Sequence, residues 1–283
     1  MVARFTPEKP IVSAEWLRSH LNAPDVRVLD CTYFMPGSPQ TGRQAYDAHH
    51  IPGARFFDID DVADSDTTLP HMMPAPEKFS SRVRKLGLGD GHRVICYDQN
   101  GFLASARVWW MFRTMGHGDV AVLDGGFNAW RAAGGPIEDL PPHFHADRHF
   151  TARPRRDLLR DLEQVKSALD AKSAQVVDAR SAARFRGEVE PLDPVAGHIP
   201  GAVSAPTADN VAADGRFKPA EDLRTRFAGL GADRMPVTVY CGSGITAAHE
   251  LAALAIAGYE AALFPGSWSE WSNDPARPVA TGP

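Results

Sequence analysis

Cysteine is scarce in this chain: Cys31, Cys96 and Cys241 are the only three among 283 residues, they lie far apart, and no pair forms a C-x-x-C. An odd, dispersed set of thiols argues against a disulfide framework and for reduced cysteines, so a cytoplasmic location is expected. Long hydrophobic runs are missing too, and no apolar stretch has the length that a membrane-crossing helix requires. Residues 1–10 lack the apolar core of a secretory leader. Nor is there a surplus of positive charge: 30 Lys and Arg against 35 Asp and Glu leave a formal net charge of -5. That balance offers no electrostatic footprint to nucleic acid or to an anionic membrane, and neither is an expected partner. His143, His145 and His149 cluster in one stretch, but no cysteine or carboxylate at ligand spacing supports them. They read as a solvated linker, and neither a metal nor a cofactor is expected.

What is present is one unit used twice. His50-Ile-Pro-Gly-Ala54 recurs as His198-Ile-Pro-Gly-Ala202, 148 residues on, and Asp30 at the end of Val-Arg-Val-Leu-Asp matches Asp178 at the same offset. Residues 79–87 (FSSRVRKLG) parallel 223–231 (LRTRFAGLG) at an offset of 144, residues 94–97 parallel 237–240 at 143, and Gly125-Gly-Phe-Asn-Ala-Trp130 parallels Gly266-Ser-Trp-Ser-Glu-Trp271 at 141. Landmarks that keep their order at one period mark a duplicated domain. The first unit reads as a strand ending at Asp30, a strand over 54–57, a helix from Glu77, a strand over 94–97, a helix from about Ser105 and a strand over 120–123. The first helix, 14–20, is predicted to be capped by Ser13. Strands alternating with helices imply an α/β protein, each unit a parallel sheet with helices on both faces and a reactive pocket at the carboxyl ends of the strands. The expected domains are 1–140 and 159–283, joined by a linker over 141–158 that lies within a Pro- and His-containing stretch of low periodicity. The first unit carries four extra residues between Phe57 and Phe79, a long polar loop that reads as surface or as part of a site.

One stretch concentrates the chemistry. Val237-Thr-Val-Tyr is a β-branched run that ends at Cys241, Gly242-Ser243-Gly244 makes a tight turn, and an Ala/Leu-rich segment over 247–257 reads as a helix. An isolated cysteine at a strand end is ordinarily a small buried hydrophobe. Here two glycines let the backbone curl around an anion, and a helix start supplies inward N–H groups and a partial positive charge, so a thiolate or persulfide is stabilised. The equivalent position in the first unit is Asp98, which keeps the strand and the turn but has no sulfur. Cys96, inside a strand, and Cys31, just after one, read as core thiols, with Cys31 redox-sensitive only if exposed. Trp109 and Trp110 read as core and domain interface rather than as a ligand platform.

With these residues the chain resembles the tandem rhodanese-domain sulfurtransferases. The family's six-residue active loop is similar to Cys241-Gly-Ser-Gly-Ile-Thr246, and Cys-Gly-Ser-Gly is the form of the 3-mercaptopyruvate branch; thiosulfate-preferring members carry basic residues there. The resemblance extends to Arg107-Val-Trp-Trp-Met-Phe-Arg113, Leu123-Asp-Gly-Gly-Phe127, Gly197-His-Ile-Pro-Gly201 and Gly266-Ser-Trp-Ser-Glu-Trp271. It implies two rhodanese-like domains, the first non-catalytic. It also implies transfer of sulfur from 3-mercaptopyruvate to a thiol, a thioredoxin-like dithiol protein or cyanide through a persulfide on Cys241, with release of pyruvate. Gly242, Gly244, Ile245 and Thr246 would line the anion site, Arg184 would grip the donor's carboxylate and Arg186 would assist, or else pair with Glu188 or Glu190. By the same resemblance Asp60 and His71 would join Ser243 in a relay. One departure is visible: the family's second carboxylate-binding arginine, expected just before Gly197, is absent from residues 188–196.

Three other functions follow from the same residues. Thiosulfate:cyanide transfer would profit from a cation in the loop, and none is there. A phosphatase of the Cys-x5-Arg type would need an arginine where Ala247 stands. A non-catalytic binding protein would keep the fold without the chemistry, as the first unit does with Asp98.

Overall fold

The structure, a computed structural model, describes residues 10–101, 104–140 and 148–283. His143, His145 and the first part of the expected linker lie outside them. The strands are β1 (Ile11–Val12), β2 (Val26–Asp30), β3 (Arg55–Phe56), β4 (Arg93–Tyr97), β5 (Val120–Leu123), β6 (Gln175–Asp178), β7 (Val203–Ser204), β8 (Val237–Tyr240) and β9 (Ala261–Leu263). They form a five-stranded sheet in the order β1-β5-β4-β2-β3 and a four-stranded sheet in the order β7-β6-β8-β9, with every pairing parallel. All residues of β4, β5 and β8 are buried, which requires cover on both faces of the sheet and explains why these strands are apolar without alternation.

The chain folds as two compact units. One comprises the chain up to Ala63 with Pro74–Arg155 and Ala213–Arg216; the other comprises Asp64–Met73, Arg156–Ala212 and Phe217–Pro283. The long polar loop expected to belong to the first unit is therefore divided: residues 59–62 form a short helix capped by Asp58, and Asp64–Met73 folds with the second unit.

Hydrogen bonds repeat between the units as the sequence does. The Tyr97 hydroxyl accepts from the Ile51 amide at 3.1 Å, and the Tyr240 hydroxyl from the Ile199 amide at 3.1 Å. His50 Nδ1 lies 2.8 Å from the Tyr46 carbonyl and His198 Nδ1 2.7 Å from that of Phe185, each imidazole stacked on the ring whose carbonyl it meets. The recurring His-Ile-Pro-Gly-Ala is thus a clip that seats a buried isoleucine on the tyrosine ending β4 in one unit and β8 in the other. The first sheet has one strand more, but Leu159 bridges Leu263 in the second at the place where β1 pairs with β5.

Local chemistry sets the helix ends. Ser13 caps the helix Ala14–His20 through the Trp16 amide as expected, Thr41 and Asp161 form capping boxes with Gln44 and Gln164, and Pro76 opens the helix Pro76–Lys85. The helix Ser105–Thr114 buries Trp109 and Trp110 almost completely, as the sequence suggested. Cys31 and Cys96 are buried as well, and burial together with the neighbouring Cys96 thiol and the Asp30 and Asp98 carboxylates pushes the Cys31 thiol well above its ordinary range, away from thiolate chemistry. Among the described residues no helix is long and apolar enough to cross a membrane.

Candidate active site

β8 delivers Cys241 to the carboxyl edge of the second sheet, and the helix Ile245–Ile256 starts four residues later, two residues before the predicted start. Gly244 makes the junction in the left-handed region, at φ 78°, a conformation costly for a side-chain-bearing residue. Its amide donates to Cys241 Sγ at 3.1 Å. The sulfur therefore sits on an N–H at the opening of a 12-residue helix, where partial positive charge collects. Cys241 itself is only 2% exposed.

A second wall fixes the loop from behind. Ser267 Oγ accepts from the Cys241 amide at 3.2 Å, the Trp268 amide donates to the Cys241 carbonyl at 3.0 Å, and both the amide and the hydroxyl of Ser269 donate to the Gly242 carbonyl at 2.9 Å. A Cβ on Gly266 would run into the Glu270 side chain, so the turn that presents these donors admits only glycine. The Gly266-to-Trp271 landmark thus has a function that its recurrence in the sequence did not disclose.

Ser243 lies beside the sulfur-bearing residue, half-buried, with its Oγ 2.9 Å from His71 Nδ1. His71 adopts φ 55° and Ser267 φ 54°; with Lys172 they are the only non-glycine residues at positive φ among those described. Two of the three strained backbones thus fall at this site, as strain does where surrounding structure must hold a side chain in place. Asp60 belongs to the first unit, in the helix Ile59–Val62, where it and Asp58 face Tyr33; burial and these two carboxylates push the Tyr33 phenol up to about 12. Ile245 is buried and Thr246 half-buried in the first turn of the helix.

Arg184 reaches over Gly242: a Cβ there would be 3.4 Å from Nη1. Its Nε and Nη2 donate to the two oxygens of Glu190 at 3.1 and 2.6 Å, and Nη2 also donates to Asp193 at 3.2 Å. Arg180, which the sequence reading passed over, binds Asp178 through Nε and Nη2, reaches Glu190 through Nη1 at 3.0 Å and lies 4.7 Å over Trp268. The result is an unbroken chain of charge from the end of β6 to the active turn. Arg186 does not join it: its side chain is 39% exposed and held by Glu188 at 2.6 Å, the second of the two readings that the sequence allowed. Burial raises the Glu190 carboxyl, but hydrogen bonds and charge from Arg184, with the Leu192 and Asp193 amides, bring it below the ordinary range. The Asp193 carboxyl goes the other way, up, because burial and the Glu190 charge outweigh its bond from Ser269. In sequence Glu190 was a candidate partner only for Arg186 and Asp193 only part of the stretch lacking an arginine; that both fold back on Arg184 needed the tertiary structure.

Among the described residues no cluster of His, Cys, Asp and Glu is arranged to hold a metal.

Comparison with known proteins gives this arrangement a context. Residues 13–133 and 161–274 match the model of the rhodanese-like domain. Over 284 residues the chain is 40% identical to a probable 3-mercaptopyruvate sulfurtransferase of Pseudomonas aeruginosa, covering 96% of this chain and 98% of that one. It is 38% identical over 286 residues to SseB of Mycobacterium tuberculosis, named a putative thiosulfate sulfurtransferase, covering 96% and 97%. The crystal structure of SseA from Escherichia coli, described as a 3-mercaptopyruvate sulfotransferase with the rhodanese fold, superposes with a TM-score of 0.84 at 36% identity, covering 92% of this chain and 99% of that one.

Proposed function

Because the chain belongs to the rhodanese family, we propose that it is a sulfurtransferase that takes sulfur from 3-mercaptopyruvate onto Cys241 and passes it to a thiol, a dithiol protein or cyanide. The observation that carries this reading is the Gly244 amide on Cys241 Sγ at the start of a helix, a place that favours a sulfur anion both before and after it is loaded.

In the first half-reaction the Cys241 thiolate attacks the thiol sulfur of the donor. An S–S bond forms, the C–S bond breaks, and its electron pair leaves on carbon as the enolate of pyruvate, which takes up a proton. Ser243, hydrogen-bonded to His71, is placed in the loop to bind the donor's carbonyl oxygen as charge builds on it or to help move that proton. In the second half-reaction the acceptor attacks the outer sulfur, and the Cys241 thiolate departs from the S–S bond. Cysteine suits both steps because its thiolate is a strong nucleophile and a competent leaving group. Arg184 is the group to hold the donor's carboxylate, since guanidinium geometry matches a carboxylate edge.

The similarity to a putative thiosulfate sulfurtransferase keeps a second donor in view. A sulfonate would profit from a cation within the turn, and Gly242, Ser243, Gly244 and Ile245 supply none. Steady-state kinetics with both donors decides: kcat/KM is expected to be higher for 3-mercaptopyruvate, and a higher value for thiosulfate would reverse the assignment. Intact-mass spectrometry after exposure to donor should show one added sulfur atom, absent from Cys241→Ser. No adduct with either donor would point instead to a protein that keeps the fold without the chemistry.

A further inference from the structure

Arg184 does not wait empty for a donor. A guanidinium offers a carboxylate two double-donor edges: one between Nε and Nη2, the other between Nη1 and Nη2. Glu190 occupies the first of these, and it is anchored there by more than Arg184, because Arg180 Nη1 and the Leu192 and Asp193 amides all donate to it. Asp193 takes the Nη2 half of the second edge through Oδ2, at 3.2 Å the longest bond that Arg184 makes to a carboxylate. Nη1, the other half of that edge, makes no hydrogen bond among the described residues and is the nitrogen nearest Gly242. The edge that faces the reactive turn is thus half free and half covered by a carboxylate of the chain itself. The second oxygen of Asp193 is tied to that turn as well, 2.6 Å from Ser269 Oγ, whose single hydroxyl hydrogen it shares with the Gly242 carbonyl at 2.9 Å. The side chains of Glu190 and Asp193 are 3% and 8% exposed, so neither carboxylate is screened as a surface group would be.

We propose that Asp193 is a specificity-determining residue, a resident carboxylate that the donor's acid end must displace from Arg184 before both oxygens of the donor can bind the Nη1–Nη2 edge. The inference rests on the reading of the donor as a carboxylate-bearing thiol. Displacement swaps one Arg–carboxylate bond for another and leaves Glu190 in place to hold the guanidinium plane. Asp193 then taxes the binding of every carboxylate donor by the free energy of its own contact and leaves the reaction at Cys241 untouched. A donor without an acid group does not compete for that edge and escapes the tax.

Asp193→Asn keeps the size and the Ser269 contact and removes the charge. KM for 3-mercaptopyruvate is expected to fall roughly three- to tenfold, the range of a partly screened ion pair, with kcat within about twofold of the parent. The competitive inhibition constant of pyruvate should fall by the same factor, since pyruvate carries the acid end without the sulfur. Asp193→Ala, whose side chain cannot accept from Arg184 at all, should show the same direction, which guards against a residual bond from the asparagine amide. An unchanged or raised KM together with an unchanged inhibition constant for pyruvate overturns the role of Asp193. So does a fall in kcat at constant KM, which would mark a merely structural residue. Mass analysis of the parent separates this from the underlying reading: no sulfur on Cys241 after 3-mercaptopyruvate removes the donor assignment and the inference with it, whereas normal loading with unmoved binding constants removes the inference alone.

Discussion

Ser243 Oγ and His71 Nδ1 share a hydrogen bond of 2.9 Å, so each side chain helps to orient the other. Ser243→Ala is expected to lower kcat roughly tenfold, because an assisting hydroxyl is lost while the nucleophile and its helix terminus remain. His71→Ala should cost about as much, and the double variant little more than either, since residues that act through one bond are not additive. Full additivity in kcat would separate the two roles, and an inactive Ser243→Ala that still loads Cys241 at the parent's speed would move Ser243 out of the first half-reaction. At this scale the sequence was legible wherever a residue acts through its own neighbours: Cys241, Ser243 and Gly244 follow from strand, turn and helix start. It was not legible for Glu190, Asp193 or Ser269, whose parts depend on a loop folding back on a guanidinium that their own local pattern does not mention.

The helix Ile245–Ile256 opens at the reactive turn, and its second turn carries a buried carboxyl. Glu250 is fully buried, accepting from Asn210 at 2.6 Å and from Arg226 at 2.7 Å. Burial dominates these partners and pushes its carboxyl up to about 7. The preceding His249 is pushed down to about 3 by burial and by Arg226, and stacks on Phe217. For Glu250 the folded state holds its proton to higher pH than the unfolded chain, whose carboxyl titrates near 4.5. The stabilisation is therefore complete below about pH 4.5 and is lost as pH rises through about 7. Denaturant unfolding at several pH values should show Glu250→Gln gaining on the parent by about 3 kcal/mol across that window, a gap that stays flat on either side. A constant difference throughout would mean that the Glu250 carboxyl titrates in the fold where it does in the unfolded chain, with Arg226 and Asn210 offsetting its burial. Sequence periodicity found this helix but placed its start at Ala247, because Ile245 and Thr246 belong by composition to the turn. Only the left-handed Gly244 fixes where the helical N–H groups begin.

The two halves show what duplication kept and what it let go. Strand order is shared, with β5-β4-β2-β3 running as β9-β8-β6-β7, and the Tyr-to-Ile and His-to-carbonyl bonds recur at matching lengths. The repeat itself was readable in advance because His-Ile-Pro-Gly-Ala is contiguous in the chain, whereas the strand order and these bonds came only with the tertiary structure. β1 escaped notice because it is two residues long. The reactive turns diverged. In the first half the helix begins seven residues after Asp98 instead of four after Cys241, and the Asp98 carboxylate accepts from the Ala104 and Ser105 amides at 3.3 and 2.9 Å. An anion is thus built into the place where the second half holds a sulfur. The residues 148 before Arg180 and Arg184 are Thr32 and Pro36, so no counterpart of the carboxylate-holding pair exists there either. Asp98→Cys in a Cys241→Ser background is accordingly expected to acquire no sulfur from 3-mercaptopyruvate. A shorter thiol cannot reach amides that a carboxylate spans across a longer turn, and nothing there binds the donor. The same exchange should lower stability by roughly 1–3 kcal/mol, as two buried amides lose their acceptor. A sulfur adduct on the introduced cysteine at a rate near that of Cys241 would show that the strand, the turn and the helix terminus suffice, and that the arginines and carboxylates set only which donor is taken.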